Sequence, residues 1–230
     1  ARLAPITGHL VDALWHDREQ PPTSALLACP TEWAGATVAQ KLEALRQRLA
    51  KSEATALAVV KLDQIAWLLN LRSLDDVPYN PVFEAFLFVD AQSVHVFLHG
   101  PSSRLPREAH ATIPGLVAHE YREFFPFLER VADARVSIDP DATTQAVLAA
   151  LTRAPRTTVV RAASPIEATK AVKNDQELRC MERANLLASF AKARALRWLE
   201  ERVAEGETVT EASFRDHIEA YYADLPGYRG

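Results

Sequence analysis

Between two apolar stretches of this chain lies a run of mixed chemistry, Arg72 to Pro81, carrying Arg72, Asp75, Asp76, Tyr79 and Asn80. Arg72 is a fixed cation whose planar fork can hold a carboxylate or a carbonyl. Tyr79 and Asn80 add a hydroxyl and an amide that can line the same cleft. Functional groups are often placed on such a loop between two core elements. Arg72, Asp76, Tyr79 and Asn80 are therefore the candidate substrate-cleft residues. The competing reading is an internally paired loop, with Arg72 bridging the aspartates to hold the turn. Asp75 and Asp76 form the nearest acidic pair, but a hard divalent ion needs a larger cluster of oxygen ligands.

The histidines offer less. His95 and His99 fall four apart on a stretch expected to be extended, so they share a face. Two histidines on one face can bind metal, yet nothing nearby supplies the third ligand of a catalytic zinc. Surface or hydrogen-bonded histidines are expected instead. His119-Glu120-Tyr121-Arg122-Glu123 approaches the zinc-protease pattern H-E-x-x-H but ends in glutamate, so the two-histidine helical face is absent. No glycine-rich nucleotide or phosphate loop occurs either.

The elements that position these groups follow from periodicity. Ala56 to Val60 is a short apolar run suited to a strand buried on both faces. Asp63 then sits in the first turn of a helix, where the dipole favours a carboxylate, and Ile65, Leu68 and Leu69 give it one apolar face. Pro78 and Pro81 bias Val77 and Asn80 away from helical geometry, which makes the loop rigid and extended. Phe83, Phe86 and Phe88 start the next strand. Upstream, Val38, Leu42, Leu45 and Leu49 mark a helix over Thr37 to Ala50 with Thr37 as cap, and Lys41, Arg46 and Arg48 are expected as solvated flanks.

Downstream, strands are expected at Glu84 to Val89, Val94 to Leu98, Leu116 to Tyr121, Arg135 to Ile138 and Thr157 to Arg161. Helices are expected at Glu123 to Val131 and Thr143 to Leu151, with a weak one in Pro101 to Pro114 interrupted by Pro106. This alternation implies an α/β layer fold with a mixed sheet. A long helix begins at Asn174, which can cap it in a capping box with Glu177, and its apolar stripe runs through Leu178, Met181, Leu186, Phe190, Leu196 and Val203 until Gly206. Thr208 with Glu211 repeats the capping spacing, and Phe214, Ile218 and Tyr221 line a further helix. At the other end, His9 to Trp15 can form a short amphipathic turn with Leu10, Val11 and Leu14 inward, and Arg18 to Pro30 has the composition of an extended linker.

Two runs carry a resemblance. D-Q-I-A-W-L-L-N-L-R, from Asp63 to Arg72, with N-P-V-F at Asn80 to Phe83, is similar to the central stretch of the large three-domain Xaa-Pro aminopeptidases (aminopeptidase P). The departure is Ser73-Leu74, where the family usually has one glycine, so Asp75 and Asp76 compete for the family's aspartate position. Ser164 to Lys173 and Asn174 to Ala184 resemble the opening helices of the catalytic pita-bread domain, and L-V-D-A-L-W at Leu10 to Trp15 resembles an inter-domain junction.

The resemblance implies a linker over 1–35, a creatinase-type amino-terminal domain with a mixed sheet and covering helices over 36–163, and the truncated start of the catalytic domain, two helices, over 164–230. It further implies a parent enzyme that removes the first residue of peptides with proline second, using two divalent metal ions, usually manganese. The metal-ligand motifs of the family, D-S-G followed by D-x-T-R, occur nowhere in the chain. No catalytic residue, metal ligand or bound cofactor is therefore expected in it, and the chain alone is expected to be inactive. No methionine starts it, so an upstream domain is expected too. The two final helices, whose apolar faces would cover a missing sheet, are expected to fold back, to be disordered or to self-associate.

Composition excludes other classes. At 230 residues, 48% hydrophobic and 24% charged, the chain suits a soluble globular protein. A net charge of −4 gives no basic field for nucleic acid or anionic membrane. No apolar run reaches the length of a membrane span, the start lacks a signal peptide, and Cys29 and Cys180 suggest no disulfide framework. A cytoplasmic protein with a peptide substrate is the expectation. The alternative is a complete, non-catalytic α/β binding or interaction module that uses the Arg72–Asn80 loop.

Overall fold

The structure is a computed structural model that describes residues 10–229. Three short elements open the chain. A 3-10 turn spans Leu10–Ala13, β1 spans Leu27–Ala28 and α1 spans Thr31–Ala34. His9 lies outside the described residues. The expectation that Leu10, Val11 and Leu14 point inward is corrected, because all three are exposed. The linker reading is corrected at its end, where Leu26 is buried and β1 pairs antiparallel with a later strand.

The α/β body follows in the expected alternation. It comprises α2 (Val38–Lys51), β2 (Ala56–Val59), α3 (Leu62–Leu69), β3 (Leu71–Arg72), β4 (Ala85–Asp90) and β5 (Val94–Leu98). Next come α4 (Pro101–Arg104), α5 (Ala109–Thr112), β6 (Leu116–Glu120) and α6 (Phe124–Arg130). The body closes with β7 (Arg135–Ile138), α7 (Gln145–Arg153) and β8 (Thr158–Arg161). Six of these strands form one sheet in the order β6-β5-β4-β2-β7-β8. Only β4 runs against its neighbours, so the sheet is mixed.

Alternation along each strand divides the core in two. Leu57, Val59, Leu87, Val89, Val96 and Leu98 face α2 and α3 on one side. Ala56, Ala58, Phe88, Phe97, Val136 and Ile138 face α6 and α7 on the other. Side chains i and i+2 of a strand share a face, so a run such as Ala56 to Val59 is apolar throughout only because both faces are covered. Small alanines of β2 stand opposite the aromatic layer of Phe88, Phe97 and Phe124, as close packing of unequal side chains requires.

The chain ends in α8 (Pro165–Ala171), α9 (Asp175–Ala204) and α10 (Glu211–Ala223). Asn174 caps α9 as expected, with Glu177 completing the box. The cap of α10 differs from expectation: Thr210, not Thr208, accepts from the Ser213 amide, and Glu211 becomes the first helical residue, where its charge suits the dipole. α9 and α10 pack on each other, with Trp198 stacked on His217 at 3.7 Å. Leu186, Phe190, Leu196 and Val203 nevertheless stay more than half exposed.

Candidate functional site

The loop that carries the four candidates springs from the end of α3. Asn70 closes that helix in the left-handed conformation, φ 50°, which an asparagine tolerates better than most residues. β3 follows and pairs with β1, which pins the incoming chain beside the loop. Arg72 Nη1 donates to the carbonyls of Ala66 at 2.7 Å and Leu71 at 2.8 Å. The half-buried guanidinium therefore caps the carboxyl end of α3, where the dipole favours a cation. It makes no ion pair with Asp75 or Asp76, and the reading in which it bridges them is corrected.

Asp76 has the opposite disposition. Its side chain is wholly buried and paired with the equally buried Arg104 of α4. One carboxylate oxygen accepts from Arg104 Nη2 and Ser73 Oγ, and the other accepts from the Glu84 amide at 3.0 Å. Ser73 Oγ in turn accepts from the amides of Asp75 and Asp76. One carboxylate thus ties both ends of the loop together. Of the two aspartates, Asp76 occupies the inward position and Asp75 is exposed. Arg104 also donates Nε to the Ser24 carbonyl at 2.9 Å, so the arriving chain is fastened to the same point.

Above this anchor the chain turns tightly at Val77-Pro78-Tyr79-Asn80, and the Asn80 amide donates to the Val77 carbonyl at 3.1 Å. Pro78 locks the first corner, and Tyr79 takes the second with φ +62°, the position of a type II turn that ordinarily calls for glycine. A tyrosine held there is strained by about 1–3 kcal/mol. The result is a tyrosine 81% exposed on a rigid turn, with Asn80 exposed beside it. Phe83, fully buried, roots the far end of the loop. The four candidates therefore divide: Arg72 and Asp76 support the loop from below, while Tyr79 and Asn80 face solvent.

A second polar constellation joins the α/β body to α8 and α9. Ser164 Oγ donates to Gln64 Oε1 at 2.7 Å, and Gln64 Nε2 donates to Glu167 at 2.6 Å. Glu167 also pairs with Lys61, and Lys170 pairs with Asp63. Trp67 Nε1 donates to Glu177 Oε1 at 2.8 Å while the other oxygen of Glu177 accepts from the Asn174 amide. Asn174 Nδ2 reaches back to the Ala34 carbonyl at 2.9 Å. Gly35 passes so close to this side chain, with φ +68°, that a Cβ there would lie 2.2 Å from Asn174 Oδ1. Only glycine fits.

Lys41 completes the joint and was missed as a solvated flank. It is buried, its ammonium lies 4.0 Å over the Trp67 ring, and Nζ donates to the Trp67 carbonyl at 2.8 Å and Asn70 Oδ1 at 2.7 Å. Burial pushes its pKa down to about 8; Glu177 and Cys29 pull it up and nearby Arg72 adds to the lowering. Asn174 and Glu177 were legible as a capping box, but nothing in the sequence marked Lys41 as buried against Trp67 and Asn70, or Arg104 as the partner of Asp76.

Among the described residues, no three His, Cys, Asp or Glu side chains are grouped so as to hold a metal ion. The acidic pair of the loop does not change this, since the oxygens of Asp76 are already occupied by Arg104, Ser73 and the Glu84 amide. His95 lies on β5, and His99 directly follows its last residue. They are not joined: His99 stacks on Tyr121 and lies 3.6 Å from Glu84, while His95 contacts His119 of the next strand.

Comparisons with known proteins agree with this architecture. The chain is 31% identical over its full length to a probable Xaa-Pro aminopeptidase P of Laccaria bicolor, covering 36% of that protein, and 31% identical to the Xaa-Pro aminopeptidase ApepP of Drosophila melanogaster, covering 38% of it. It thus spans about a third of the length of the curated relatives it matches. Among solved structures, the X-prolyl aminopeptidase of Caenorhabditis elegans, described as a cytosolic enzyme with a di-nuclear active site, superposes with a TM-score of 0.84. That match has 27% identity and covers 97% of this chain and 37% of the other. The model of the creatinase/prolidase N-terminal domain matches residues 17–177, which include the sheet, the loop and the joint. The chain belongs to the creatinase/prolidase N-terminal domain family.

Proposed function

We propose that this chain is part of a metal-dependent Xaa-Pro aminopeptidase, a hydrolase that removes the first residue from peptides with proline second, and that it contributes no metal ligand to the reaction. The observation that carries this reading is the likeness to the C. elegans enzyme over 97% of the chain, spanning the α/β body and the helices after it. Two divalent metal ions, manganese by the family resemblance, would be held elsewhere in such an enzyme. The residues described here do not fit that centre, so no step of the chemistry is assigned to them.

The role left to this chain is to shape the approach to the site. Tyr79 and Asn80 stand exposed on a turn fixed by proline and by the Asp76–Arg104 pair, a rigid arrangement able to contact a peptide without reorganising. Arg72 supports the loop and lies close beneath it. The protein is read as cytoplasmic: among the described residues no helix is long and apolar enough to cross a membrane, and a structural relative is described as cytosolic. The exposed apolar residues of α9 make self-association of the isolated chain an expected behaviour.

The test is manganese-dependent hydrolysis of an Xaa-Pro tripeptide, with metal content measured on the same sample. The 230-residue chain should bind no stoichiometric manganese and turn nothing over, whereas an active protein of the relatives' length carrying Tyr79→Ala should show a raised KM with kcat little changed. Turnover with bound metal by the 230-residue chain would overturn the reading.

A further inference from the structure

β5 and β6 run parallel at one edge of the sheet and bring two imidazoles together, His95 from one strand and His119 from the other. His95 Nδ1 and His119 Nε2 are 2.9 Å apart. The remaining nitrogens each face a carboxylate: His95 Nε2 lies 3.8 Å from Asp90 Oδ2, and His119 Nδ1 lies 3.8 Å from Glu123 Oε2. Phe88, Phe97 and Phe127 wall the pair, with His119 stacked on Phe97 at 4.7 Å. Arg130 of α6 adds a positive charge beside His119.

A nitrogen–nitrogen contact of this length needs one hydrogen and one lone pair. Two neutral rings meet that condition. So does a pair carrying one extra proton, and it does more: one hydrogen lies between the rings and the two outer hydrogens point at Asp90 and Glu123. A second proton leaves both inner nitrogens as donors with no acceptor between them. Two positive rings then face each other against a phenylalanine wall that cannot solvate them.

We propose that His95 and His119 form one proton-sharing unit that holds a single proton comfortably and is forced apart by a second, so that acid releases the edge strand β6. Among the described residues β6 is the edge strand of the sheet, held on one side by its ladder to β5, and two of its five residues are exposed, so the histidine contact adds a side-chain tie to a strand fastened along one edge only. Burial lowers the proton affinity of both rings, and the neighbouring ring lowers that of His95 further, against the raising pull of Asp90 and Glu123; Arg130 lowers that of His119. With both folded values below the ordinary one near 6.5, the unfolded chain binds more protons there, and stability falls as pH drops through that region.

The test is a nitrogen-detected NMR titration of histidine-labelled chain, combined with amide hydrogen exchange of Leu116–Glu120. The two rings should titrate in steps separated by more than about tenfold in proton concentration, as strongly coupled sites do. Exchange in β6 should accelerate about tenfold or more relative to β7 between neutral and mildly acid solution. His119→Phe keeps a ring against Phe97 and removes the second site, so His95 should then titrate in one step and β6 should lose its acid sensitivity. Independent titration of the two rings near the ordinary histidine value would overturn the proposal, as would unchanged acid sensitivity in His119→Phe. Should that variant fail to fold, the titration of the unsubstituted chain decides alone.

Discussion

The loop above β3 and the joint around Trp67 are built from similar polar residues but secured in different ways. The loop hangs on one buried ion pair, Asp76 with Arg104, whose partners lie 28 residues apart. The joint spreads its fastening over Gln64, Trp67, Lys41, Asn174, Glu177 and two half-exposed ion pairs between α3 and α8. A single buried pair concentrates its effect, because removing either partner strands the other charge without water. A distributed network loses one bond at a time, and its half-exposed pairs are each worth under about 1 kcal/mol. The loop is thus rigid but brittle, and the joint is redundant.

That contrast can be broken by three measurements. Asp76→Ala, which leaves the buried Arg104 guanidinium unpaired, should cost about 3–5 kcal/mol in urea unfolding and free both ends of the loop. An effect under about 1 kcal/mol would mean that the loop is held elsewhere. In the joint, Trp67→Phe removes the indole donor to Glu177 and should cost about 1–3 kcal/mol. Paired with Glu177→Ala in a double-mutant cycle it should show clear coupling, and additivity would refute a shared network.

The most gradual effect is the pH dependence carried by Lys41. The unfolded lysine keeps its proton to about 10.5, the folded one releases it at about 8, so the unfolded state binds more protons in between and stability rises across that window. The contribution has a slope of at most about 1.4 kcal/mol per pH unit. Lys41→Met should flatten it relative to the unsubstituted chain. A wild-type curve parallel to that of Lys41→Met would place the lysine proton in solvent.

Much of the fold was legible because it is local. The apolar runs of β2, β4 and β5 and the 3.6 period of α2 and α9 each depend on residues within a turn or two, and the cap at Asn174 needs only Glu177 three positions on. Two of the errors share one cause. Lys41 reads as a solvated flank because its partners, the Trp67 carbonyl and Asn70, are 26 and 29 residues away. Arg72 reads as a partner for the aspartates because it is near them in sequence, yet its Nη1 donates to the carbonyls of Ala66 in α3 and Leu71 in β3. Of the candidate site, the prolines made the loop legible as rigid and extended, but neither the tight turn that exposes Tyr79 and Asn80 nor the inward turn of Asp76 was foreseeable without the fold.

What the sequence by itself determined is the longer helices and the strands of the main sheet, their apolar faces and the two family-like runs at Asp63–Arg72 and Ser164–Ala184. Only the tertiary structure decided that these runs are largely the two halves of one joint, that Asp76 and Arg104 are buried together, and that His95 meets His119 across β5 and β6. The physical reason is range. Propensity, periodicity and capping act over a few residues of chain, whereas the pairing of a buried polar group is chosen by whichever partner the packed layers bring within hydrogen-bonding distance.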